Sequence, residues 1–225
     1  MSVVLANCGE ALETDAGNDT SPKPDTASHS ESTEEPEAGL KRLSLPVADV
    51  SALNMPDWQC SYSLTLDANH VVAVCHAESL DTESDYGPRL ILVRDPDNSP
   101  TLLFHSEGGG DAYGANLAVY GQNSNSEIHI IFVEFAAEYP YGTVVFKRHD
   151  DEVIAIGDYD VVAVDMHDEL TSTLEILDIA GSTREFRVQF NGPVSKSLPD
   201  GRYVDYPSGS IQFMYSSDGW QSYKP

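Results

Sequence analysis

His105, Ser106, Glu107 and Asp111 crowd into one decapeptide, His-Ser-Glu-Gly-Gly-Gly-Asp-Ala-Tyr-Gly at 105–114. A hydroxyl beside an imidazole and two carboxylates is raw material for hydrolysis. Three adjacent glycines are raw material for a phosphate cradle. Neither chemistry fits the spacing. A phosphate loop ends in Lys followed by Ser or Thr and opens a helix that receives the anion. Here Asp111 follows Gly110, two acids flank the glycines, and the next residues (ANLAVY, 115–120) read as a strand. His105 and Ser106 are chain neighbours, so on an extended backbone they point to opposite faces. No Gly-x-Ser-x-Gly elbow occurs anywhere. The segment suits recognition better. Glycine permits tight turns and close backbone approach, and Tyr113 is the kind of rigid amphipathic anchor that dominates binding hot spots. The expectation is a protruding partner-binding loop carried by His105, Ser106, Glu107, Gly109, Asp111 and Tyr113, with no catalytic residue.

Metal chemistry has one foothold. Asp95, Asp97 and Asn98 in "DPDNSP" have the oxygen ligands that calcium takes, but the loop lacks the Gly at position six and the Glu at position twelve of a calcium-binding hand. A solvated turn is the expectation, with calcium at those three residues as the one cofactor left open. Asp158, Asp160, Asp165, His167, Asp168 and Glu169 form a second acidic stretch, and no Cys/His spacing suits zinc.

These loops must be positioned by strands. From residue 57 onward, short runs rich in Val, Ile, Tyr and Phe are separated by turn residues. "RLILVRD", "TLLFH", "EIHIIFVEF", "TVVFKRH", "EVIAIGDYDVVAVDM", "TSTLEILDIAG", "REFRVQF" and "SIQFMYSSDGWQSY" give roughly ten to twelve strands. No run has a convincing helical period, though a single turn near "MHDEL" fits. The fold class is all-β: an antiparallel meander forming a sandwich, barrel or small propeller over residues 45–225.

Cys60 and Cys75 lie in "DWQCSYSLTLDANHVVAVCHA". Folding a hairpin about Asp67-Ala68 puts Cys60 opposite Cys75, Tyr62 opposite Ala73 and Leu64 opposite Val71, with Cys60, Tyr62 and Leu64 on one face. That register predicts a disulfide and an oxidising compartment.

Residues 9–43 are rich in Ser, Thr, Pro and acids and read as a disordered linker. Before it, "MSVVLANC" resembles the clipped end of a bacterial lipoprotein signal, with Cys8 as the acylated residue and Gly9 compatible with outer-membrane sorting. A start assigned too late in the gene explains its shortness. The whole chain carries −25 and the linker −6, which leaves −19 on the remainder. Such a surface repels nucleic acid and attracts a basic partner.

An acidic, tethered, disulfide-bearing β domain resembles the periplasmic lysozyme inhibitors and the lipoprotein immunity proteins that guard against injected peptidoglycan hydrolases. Inhibitors of the invertebrate-type lysozymes insert a Ser-Gly-Ser-Tyr loop into the enzyme. Here Ser208, Gly209 and Ser210 match, and Ile211 stands in place of the Tyr. The resemblance implies a periplasmic, outer-membrane lipoprotein that is not an enzyme. Its partner would be a basic, lysozyme-like hydrolase, blocked by an inserted loop. Two other classes stay open. One is an envelope- or carbohydrate-binding module using Trp58, Trp220, Tyr139 and Tyr141. The other is a hydrolase with converging carboxylates.

Overall fold

The computed structural model describes residues 39–53, 55–77, 86–95, 99–137, 140–164, 170–198 and 202–223. Cys8, Asp97, Asn98, Tyr139, Asp165, His167, Asp168 and Glu169 lie outside them, as does all of the linker up to residue 38.

The expected meander is present, and every strand pairing is antiparallel. Strand β1 (Lys41–Arg42) is followed by a meander of β2 (Trp58–Thr65), β3 (His70–Ala77), β4 (Arg89–Arg94) and β5 (Thr101–His105). A second meander follows, of β6 (Gly114–Gly121), β7 (Ile128–Ala136), β8 (Pro140–His149) and β9 (Glu152–Tyr159), with β1 added beside β6. The remaining strands are β10 (Val161–Val164), β11 (Leu170–Thr171), β12 (Leu177–Gly181), β13 (Phe186–Phe190), β14 (Val194–Ser197), β15 (Tyr203–Tyr206), β16 (Gln212–Ser216) and β17 (Gly219–Tyr223). They interleave into two further sheets, ordered β11-β10-β14-β15 and β12-β13-β16-β17. No α-helix occurs among the described residues, which hold short 3-10 turns at Val50–Leu53 and Thr173–Glu175.

The sheets stack in sandwich-like layers, with the β6–β9 sheet in the middle. One of its faces (Ala118, Tyr120, Ile130, Phe132, Val145) packs on Phe186, Val188, Phe190 and Phe213 of the C-terminal sheet. Its other face (Leu117, Val119, Ile131, Val133, Phe135, Phe146) packs on Leu64, Val72, Val74, Leu90 and Leu92 of the β2–β5 sheet. The outer face of that sheet (Val71, Ala73, Cys75, Ile91, Val93) is covered by Leu53, Ala48 and Met55 from the segment before β2. Strands β3, β4 and β7 are therefore buried on both sides. That is why they read as unbroken apolar runs rather than alternating ones.

One expectation needs correction. The ordered fold begins before residue 45: Leu40 is buried, its N–H donates to the Gly181 carbonyl at 2.8 Å, and Lys41 and Arg42 pair with Gly121 and Tyr120. The run "EVIAIGDYDVVAVDM" supplies two strands, β9 and β10, which meet at Asp160 and belong to two sheets.

The Cys60–Cys75 disulfide is present, with the two cysteines directly paired across β2 and β3. Beyond it the register departs from the expected hairpin. Ser61 forms a bulge, so Tyr62 pairs with Val74 and Leu64 with Val72. The extra residue inverts the face: Cys60 belongs to the outer layer and Leu64 to the inner one. Further bulges place Leu103 on β5, Tyr141 on β8 and Ile156 on β9 as the extra residues.

Candidate functional site

The 105–114 segment is a packed loop, not a flexible protrusion. Gly109 N–H donates to the Pro88 carbonyl and Gly110 N–H to the Tyr86 carbonyl, both at 2.8 Å. Tyr113 N–H donates to the Ala136 carbonyl at 2.9 Å. The glycines are needed because the chain runs against other backbone. A Cβ at Gly108 would overlap the Tyr86 carbonyl, and one at Gly109 would overlap the Phe135 ring. Gly110 adopts φ 61°, which only glycine takes readily.

Ser106 is buried, and its hydroxyl is fully used: it accepts from Leu90 N–H at 3.0 Å and donates to the Glu107 carbonyl at 2.7 Å. It is a buried structural clamp, with its proton committed to the Glu107 carbonyl. His105 turns its ring against Trp58, with centroids 5.7 Å apart, and its Nδ1 lies 3.1 Å from the Ser106 carbonyl. What the loop presents outward is Tyr113, 77% exposed, with Asp111 and Glu107. Asp111 Oδ1 accepts a 2.7 Å hydrogen bond from the Tyr86 hydroxyl, and this bond holds the Tyr86 phenol above its ordinary pKa. Tyr86, Asp111 and Tyr113 thus form one exposed tip on a fixed backbone. Tyr86 was not visible as a site residue in the sequence, because only the fold brings it to the loop.

Beside the tip, the edge strands β5 and β9 leave a slot of about 270 Å³ lined by Phe104, His105, Ser106, Glu107, Phe135, Val144, Phe146 and Ala155. Both strands are bulged next to it, at Leu103 and Ile156. The bulge at Ile156 sends Ala155 to the slot, while Gly157 faces the opposite layer. There the indole of Trp220 lies over Gly157 so closely that a Cβ would overlap it. Trp220 Nε1–H donates to the Asp158 carbonyl at 2.9 Å.

Ser208, Gly209 and Ser210 do not join this site. Gly209 N–H and the Ser208 hydroxyl both donate to the Phe190 carbonyl, and the Ser210 hydroxyl donates to the Pro207 carbonyl. The turn is tied into the C-terminal layer, across the central sheet from the glycine loop, and Ile211 is buried behind it. Trp58 and Trp220 are partly buried, Trp58 against the outer layer and Trp220 against the C-terminal rings. Among the described residues, no group of three or more His, Cys, Asp or Glu could hold a metal ion.

Two buried polar groups lie elsewhere. Glu134, 1% exposed, accepts at Oε1 from the N–H and hydroxyl of Thr173, both at 2.7 Å, while its Oε2 has no hydrogen-bond partner. Thr173 Oγ1 lies 3.2 Å from the Tyr159 hydroxyl, whose pKa burial pushes upward. The second group is a charged seam between the β2–β3 turn and β8. Arg148 reaches Asp67 at 3.0 Å and His129 Nδ1 at 3.2 Å, and His70 bridges Asp67 (2.8 Å) and Asp151 (2.9 Å). Arg94 also pairs with Asp151. Because the guanidinium donates to Nδ1, the imidazole proton of His129 belongs on Nε2. Burial first, then Arg148, push His129 down to about 4, against the pull of Asp67. Asp67 stays below the ordinary carboxylate range. Burial would raise it, but the Asn69 N–H, His70 and Arg148 outweigh burial.

Comparison with family models, with curated proteins and with solved structures finds no match to this chain. The functional reading therefore rests on the site itself.

Proposed function

We propose that this protein is a lipid-anchored periplasmic inhibitor or immunity protein. It binds a basic, lysozyme-like peptidoglycan hydrolase and blocks it without making or breaking a bond. The observation that carries this reading is Tyr113, an almost fully exposed aromatic ring on a loop whose backbone is pinned at Gly109, Gly110 and Tyr113 itself. An exposed aromatic ring on a pinned backbone requires little ordering of the main chain on docking, the condition under which contact area becomes affinity. Asp111 and Glu107 flank it, and the chain's −25 charge speeds encounter with a cationic partner. The contact surface is the Tyr86–Asp111–Tyr113 tip with the adjoining slot, rather than a loop that uncoils into the enzyme. The Leu5-Ala6-Asn7-Cys8 run supplies the anchor in this reading, and the disulfide fits an oxidising compartment.

The test is a panel of lysozyme-like hydrolases of differing charge, assayed for binding and for lysis in the presence of the protein. Binding that suppresses lysis and weakens between about 50 and 500 mM salt is the expected result. Tyr113→Ala should cost at least about 2 kcal/mol of binding. Binding to glycan alone would move the protein to the envelope-binding class. Turnover of peptidoglycan by the chain itself would move it to the hydrolases.

A further inference from the structure

The slot between β5 and β9 lies at the small end of the range for ligand sites. Small-molecule and cofactor sites run from roughly 300 to 1,000 Å³, and this one holds about 270 Å³. Its walls are apolar: Phe104, Phe135, Val144, Phe146 and Ala155. Its rim carries Glu107, an exposed carboxylate with no hydrogen bond or ion pair among the described residues. The slot exists because a small residue, Ala155, stands on β9 where a larger one would fill it, and because bulges at Leu103 and Ile156 re-aim the two edges.

We propose that this slot seats one large apolar side chain, flanked in its own sequence by Lys or Arg, on a protruding segment of the cationic partner. The apolar side chain replaces water against the phenylalanines, and the flanking cation meets Glu107. The inference rests on the reading above that the partner is basic, and it names the chemistry of the partner's contact segment. Tyr113 then docks outward against the partner while the slot receives from it, so the interface is knob and hole on both sides.

The test uses the full chain, 15N-labelled, titrated with three blocked pentapeptides: Gly-Lys-Phe-Lys-Gly, Gly-Lys-Ala-Lys-Gly and Gly-Glu-Phe-Glu-Gly. Saturable shifts of the Phe104–Glu107 and Ala155 amides with the first peptide alone are expected, and Ala155→Trp should weaken them at least about tenfold. Glu107→Lys, a surface change that leaves the slot open, should reverse the preference between the lysine and glutamate peptides. Absence of shifts at those amides, equal shifts in Ala155→Trp, or equal binding of the two phenylalanine peptides would overturn the proposal. A hydrolase that binds the wild type and Ala155→Trp equally would remove the slot while leaving the inhibitor reading standing. Peptide binding at the slot with no hydrolase bound would do the reverse.

Discussion

The two faces of the central sheet are built from different materials. One is a lattice of rings: Tyr159 stacks on Phe213 at 5.3 Å and Phe213 on Trp220 at 5.6 Å, with Tyr120, Phe132, Phe186 and Phe190 around them. The other is mostly aliphatic and runs from the charged seam at His129 to the open slot at Phe135. Where rings close the edge of β9, as Trp220 does over Gly157, nothing is left to bind. Where the aliphatic face meets the same strand two residues earlier, at Ala155, the edge stays open. The bulge at Ile156 divides a structural face from a surface available to a partner, and it does so within one strand.

The sharpest challenge to this division is a pair of truncations. Phe213→Ala, in the ring lattice, should destabilise by about 3–5 kcal/mol, because the rings around it cannot collapse into the gap. Phe104→Ala, on the half-open slot, should cost about 1 kcal/mol, since water already reaches its ring. Urea melts giving equal costs would end the contrast. Next in size is the disulfide. Replacing Cys60 and Cys75 by Ala removes a cross-link spanning 15 residues and should cost about 3 kcal/mol. The loss should fall on the β2–β5 layer, seen as faster hydrogen exchange there than in β12–β17.

Acid should attack the aliphatic side first. His129 has a folded pKa of about 4 against an unfolded value of 6.5. The unfolded chain therefore binds more protons between those values, and stability falls as pH drops from 6.5 to 4. The loss is on the order of 2–3 kcal/mol. His129→Leu should flatten that slope, whereas a slope that persists unchanged would place the acid sensitivity elsewhere. Gly157→Ala, which pushes a methyl into the Trp220 indole, should cost about 1–3 kcal/mol by overpacking. The smallest effect belongs to Tyr113→Ala, within about 0.5 kcal/mol in stability. A change in melting temperature comparable to that of Gly157→Ala would mean the ring supports the fold rather than waiting for a partner.

The all-β class and the Cys60–Cys75 pair were legible because both depend on local patterns: alternation, turn residues and one short hairpin. The bulges were not. An inserted residue such as Ser61 or Ile156 leaves composition untouched and only shifts the phase, so a strand read by alternation keeps the wrong face beyond it. That is why alternation sets Leu64 opposite Val71, whereas it pairs with Val72. The glycine run was legible as a place of close approach, but not what it approaches. Tyr86 precedes β4 and Phe135 lies on β7, and only the packing shows that Gly108 and Gly109 fit them. Ser106 and Ser208 looked available because a sequence does not show which hydroxyls are already spent on backbone groups. Tyr113 is legible as an amphipathic ring, but its 77% exposure is a property of the fold.

The two indoles of the chain sit in separate layers, Trp220 among the stacked rings and Trp58 against His105 beside the slot. Their emission therefore reports two neighbourhoods at once. With Trp220 changed to Phe, the one indole left packs against His105, a residue that lines the slot, and the protein carries its own optical probe for docking.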